Sequence, residues 1–71
     1  MMIGEKKMKF KAKKIAELGE HVFFKNGIKG IVEKVNENTV IVNIIDNKTE
    51  LVFEGNRTVV AHKNYQVIDN V

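Results

Sequence analysis

The chain has no cysteine, no proline and no serine, and only five glycines among its 71 residues. Without cysteine there is no disulfide framework and no thiolate metal site, and a reducing cytoplasm is the expected compartment. Without cysteine or serine, nucleophilic catalysis would fall to Thr39, Thr49 or Thr58. His21 and His62 stand on different elements with no carboxylate cluster near either. Neither a metal site nor a catalytic pair is therefore expected, and His62, in a turn before Tyr65, is read as a cap for backbone groups. The segment from Gly27 to Gly30 lacks the spacing of a phosphate loop. The longest apolar run near the N-terminus is Met1-Met2-Ile3, too short for a signal peptide or a membrane span. These absences predict a protein that is not an enzyme, carries no cofactor and does not sit in a membrane.

What remains is one small domain with a thin core, since a short chain buries a small fraction of its surface. Its stability must come from tight packing or self-association. The formal net charge is +3, and its distribution is uneven. Residues 1–19 hold six lysines against two glutamates, a net of +4. Residues 20–71 hold six basic against seven acidic side chains, a net of −1. A basic arm over residues 1–18 thus precedes a nearly neutral body over residues 19–71.

The body reads as all-β. Turn signals near residues 26, 37, 47, 55 and 63 recur at the interval of short strands. Strands are predicted over residues 21–25, 28–36, 39–45, 49–54 and 65–68, with residues 57–60 extended or in a short 3₁₀ turn. Asn26-Gly27 marks a tight hairpin, because both residues tolerate positive φ. Gly30 interrupts the second strand, as at a bulge or a close backbone approach, and the alternation breaks again at Glu33-Lys34. The expected result is a small five-stranded barrel filled by Val22, Phe24, Val32, Val35, Val40, Val42, Ile44, Leu51, Phe53, Val59 and Val67. Ile41 and Ile45 are left on the opposite face of the third strand. Either the Met8-Phe10-Ile15-Leu18 side of the arm or a second copy of the chain would cover them. In the arm, K-M-K-F-K-A-K alternates like a strand, and residues 13–18 fit a helical turn ended by Gly19.

The stretch GEHVFFKNGIKGIVEKV, residues 19–35, resembles a KOW motif, two strands around a glycine, here Gly30. That resemblance implies an SH3-like barrel of the kind that contacts RNA, ribosomal partners or the transcription machinery. FKNGIKGIVEKVNENTVIV and RTVVAHKNYQVI resemble the YkvS-like family, short uncharacterised proteins of low-GC Gram-positive bacteria, which brings no activity with it. The function expected is therefore non-enzymatic binding. For RNA the candidates are Lys6, Lys7, Lys9, Lys11, Lys13 and Lys14 of the arm, with Lys25, Lys29 and Lys34 around the first hairpin. Phe23 and Tyr65 would add stacking if exposed, although core or interface positions suit both rings better. The competing class is a protein-interaction or self-association module, a homo-oligomer among its forms, using sheet edges and an interface of Phe10, Phe23, Ile41 and Ile45.

Overall fold

The computed structural model describes residues 9–69. Its longest strand, β3 (Thr39–Asn47), holds six β-branched residues in nine positions, the type that packs well on a pleated surface. Around it lie β1 (His21–Phe24), β2 (Ile28–Val35), β4 (Arg57–Ala61) and β5 (Tyr65–Ile68). All pairings are antiparallel, in one sheet of order β4-β3-β2-β1-β5. The fold is the all-β, five-stranded one expected, but the barrel is not closed. The free edge of β5 bonds to the arm instead of to β4. Lys11 N–H donates to the Val67 carbonyl (2.8 Å), Asp69 N–H donates to the Lys9 carbonyl (2.7 Å), and Phe10 bridges to Ile68.

The first hairpin sets its register by burial. Phe24 pairs with Ile28, both on the core side, and Lys25 and Asn26 take the positive φ values of the turn, 50° and 59°. Asn26-Gly27 was the expected left-handed pair. A slip by one residue to seat it there would place Phe24 opposite Lys29 and turn the apolar face of β1 outward. Two bulges bend the β2–β3 ladder, at Lys29/Gly30 and at Val32/Lys34. Both fall where the alternation breaks in the sequence. At the first, a Cβ on Gly30 would overlap Val42 Cγ1 and come within 2.9 Å of the Asn43 carbonyl oxygen.

The strand predicted over residues 49–54 does not form. Asn47 and Thr49 organise this stretch from their side chains. Asn47 Oδ1 accepts from Thr49 N–H (2.8 Å) and Thr49 Oγ1 (2.6 Å), Asn47 Nδ2 donates to the Leu51 carbonyl (2.8 Å), and Thr49 Oγ1 accepts from Leu51 N–H (3.1 Å). Such local bonds compete directly with a sheet ladder. The partner of β3 is therefore Arg57–Ala61. Its register pairs Val60 with Val40 and Val59 with Ile41, so Val60 is buried and Val59, expected inside, is 60% exposed. Leu51 and Val35 are likewise largely outside.

The core consists of Ala16, Val22, Phe24, Ile28, Val32, Val40, Val42, Val60, Tyr65 and Val67, with Ile44 and Phe53 packed against it. Ala16, 1% exposed, makes the end of the arm part of that core. Residues 13–18 form no helix. A turn closes instead between the Glu17 carbonyl and the Glu20 N–H (3.1 Å), with Gly19 at φ 82°.

Candidate nucleic-acid interface

The arm is held at its base by a chain of buried and half-buried polar groups. Ala16 N–H donates to the Tyr65 hydroxyl (2.9 Å), the hydroxyl lies 2.7 Å from His62 Nδ1, and His62 Nε2 lies 2.9 Å from the Asn36 carbonyl oxygen. A carbonyl oxygen only accepts, so the imidazole proton sits on Nε2. Nδ1 then accepts from the Tyr65 O–H, and every group has its partner. His62 thus caps backbone, and Tyr65, 8% exposed, belongs to the core and offers no stacking platform.

A second anchor centres on Glu20, whose side chain is 16% exposed. Its carboxylate accepts from Glu17 N–H (2.8 Å), Lys11 Nζ (3.0 Å) and Lys13 Nζ (3.0 Å). Burial pushes the Glu20 carboxyl up. The Glu17 amide, the two lysine hydrogen bonds and the Lys13 charge outweigh that and hold it at about 2, against an ordinary 4.5. The bond to Glu20, opposed by burial, raises the Lys13 ammonium. A carboxyl held low in the folded state is protonated first in the unfolded chain, so its contribution is present above about pH 5 and is lost as pH falls toward 2. That contribution is on the order of 2 kcal/mol. Urea midpoints at pH 7 and pH 3 should differ more for the wild type than for Glu20→Gln; equal differences would remove the anchor.

An open cleft of about 350 Å³ lies at one end of the β1–β5 ladder. The register pairs Phe24 with Tyr65. The tight turn after β1 and the 3₁₀ turn before β5 (His62–Asn64) therefore rise on opposite sides. Phe23, Phe24 and Tyr65 line its base, while Lys25 and Asn26 come from one turn and Lys63 and Asn64 from the other. Gln66 also lines it, and among the described residues no carboxylate does. The Phe23 ring also meets the Phe10 ring, with centroids 6.0 Å apart and planes at 53°, so the arm supplies an aromatic neighbour to the cleft.

The predicted basic residues are only partly gathered there. Lys6 and Lys7 lie outside the described residues. Lys9 and Lys14 are exposed on the arm, whereas Lys11 and Lys13 are committed to Glu20. Lys25 stands in the cleft. Lys29 pairs across β1 with Phe23 and across β3 with Asp46. Lys34, opposite Ile41, is five strand residues further on, about 16 Å at the usual rise. Lys63, Asn64 and Gln66 were missed by sequence reasoning. Their turn was visible as a turn, but nothing local announces that it faces the first hairpin. Of the interface candidates, Phe10 and Phe23 pack on each other. Ile41 is half-buried beside Val59, and Ile45, displaced at the first bulge, is 50% exposed. The described part of the arm, residues 9–18, does not cover Ile41 or Ile45, because it docks on β5, at the opposite end of the sheet.

Among the described residues no three potential ligand side chains group as a metal site, and no helix is long and apolar enough to cross a membrane. No solved structure matches the chain. Uncharacterized protein YkvS of Bacillus subtilis (strain 168) is 54% identical over 57 residues, which cover 78% of this chain and 92% of that protein. The family model described as "Uncharacterized protein conserved in bacteria (DUF2187)" matches residues 14–68. With more than half its length matched, this chain belongs to that family.

Proposed function

We propose that this domain is a non-enzymatic RNA-binding module of KOW-like, SH3-like type that works in the cytoplasm. The observation that carries the reading is the cleft whose described lining holds Lys25 and Lys63, from two turns, and no carboxylate, with the Phe10–Phe23 pair beside it. Positive charge without a competing carboxylate attracts phosphate, and aromatic rings next to it favour bases. The strand order, in which β5 returns to the side of β1, supports the barrel type implied by the first hairpin. Ribosomal or transcription complexes are the RNA-bearing partners such a module would join.

A labelled single-stranded RNA titrated at 50 and 200 mM salt tests this reading. Three phosphate contacts, from the cleft and the exposed arm lysines, give a log–log slope near −2, or roughly a sixteenfold weakening over that range. No binding at 50 mM, or binding indifferent to salt, would overturn it.

Self-association is a second reading, favoured by one observation. Among the described residues β4 is an edge strand, paired only with β3. Val59 lies exposed on it beside Ile41, and such edges accept a further strand. Sedimentation of the same samples without RNA tells the two apart, since only self-association changes with protein concentration.

A further inference from the structure

We propose that the cleft between the two turns is a site for one unpaired nucleotide of single-stranded RNA, with its two flanking phosphates on Lys25 and Lys63. This rests on the RNA reading above and adds which part of the strand is held, and by what.

The first argument is charge placement. Residues 20–71 sum to −1, so the body as a whole carries no excess of positive charge of the kind that tracks a duplex. Its positive charge at the cleft is two lysines on separate turns, and no carboxylate is among the described residues that line it. Two separated cations match two successive phosphates better than a single anion.

The second argument is what lies between the lysines. Asn26, Asn64 and Gln66 bring three carboxamides to the same small space. A carboxamide offers a donor and an acceptor side by side, the pattern found on base edges. In a duplex those edges face each other and cannot be reached; in an unpaired nucleotide they are open. The volume is that of a small-ligand site, and Phe23 gives it one aromatic wall.

The third argument is conformational. Lys25 is held at φ 50°, where asparagine or glycine would sit at less cost. A strained residue at the lip of a cleft points to use of its side chain. Here the backbone stays in the left-handed region while a lysine lines the cleft.

The test compares a ten-nucleotide single strand of RNA with a duplex of the same backbone, using wild type, Lys25→Asn/Lys63→Ala, Gln66→Ala and Lys34→Ala. Asparagine is chosen at position 25 because it tolerates positive φ, and a melting curve checks that each variant folds. The single strand should bind the wild type at least tenfold more tightly than the duplex. The double variant should lose about 1.4 from the log–log salt slope, at 0.7 per phosphate, and bind at least tenfold more weakly at 50 mM salt. Gln66→Ala should alter the ranking of homopolymer strands and leave the slope in place. Lys34→Ala should stay within twofold of wild type. If the wild type binds RNA and the double variant binds with the same slope, the cleft inference falls and the RNA reading stands. Equal binding of the duplex, or equal competition by polyglutamate, likewise overturns the nucleotide site. If wild type binds no RNA, both fall together.

Discussion

Gly30→Ala is expected to cost about 3 kcal/mol, near the upper end for overpacking a dense interior. The added methyl would overlap Val42 Cγ1 and sit 2.9 Å from the Asn43 carbonyl oxygen. Neither neighbour can give way freely. Val42 is fully buried and branched at Cβ, so its rotamer is stiff, and Asn43 O is backbone inside the β2–β3 ladder. A domain of this size holds only about 3–5 kcal/mol from its core, so much of the variant should be unfolded at room temperature, as read by urea titration of the circular-dichroism signal. Val42→Ala provides the internal control. Alone it should destabilise by about 2 kcal/mol through lost methyls and the space they leave. Combined with Gly30→Ala it should cost much less, or gain, because it removes one of the two overlaps. Simple additivity of the two losses would mean that the close approach at the first bulge is not what bends the sheet.

That same glycine shows why parts of this fold are readable from one sequence. Gly30 in a run of valines and isoleucines, and the broken alternation at Glu33-Lys34, mark the two bulges because both are local departures from a period of two. Strand β5 and the start of β3 are equally local, set by β-branched runs between turn residues. Residues 49–54 misled for a local reason of another kind. Leu51 and Phe53 alternate like a strand, but the Asn47 and Thr49 side chains offer the backbone a competing set of partners. Alternation does not register that competition. The cleft is illegible for a different reason. Lys25 and Lys63 come to one cleft only because Phe24 pairs with Tyr65, and no periodicity within either segment encodes a pairing so distant along the chain. The arm shows both sides. Its alternation foretold strand-like pairing at Phe10, but the lysines counted as free charge include two that Glu20 takes up.

Tyr65→Phe isolates the other long-range tie, because it deletes one oxygen and keeps the ring in the core. Ala16 N–H, on a residue 1% exposed, loses its acceptor, and His62 Nδ1 loses its donor. A buried group left without a partner costs about 1–3 kcal/mol. A loss near 2 kcal/mol is expected here, or roughly a 10 °C drop in Tm for a domain of this length. The location of the loss distinguishes this from a general loosening. The Lys11 amide bonds to Val67 and the Asp69 amide to Lys9, so both report on docking of the arm and should exchange faster in Tyr65→Phe. Amides in the centre of β2 and β3 should change only as far as global stability does. His62→Ala should speed exchange of the same two amides, and the double variant should be less destabilised than the sum of the singles, since both changes break one chain of bonds. Unchanged protection at Lys11 and Asp69 would separate the polar chain from the arm.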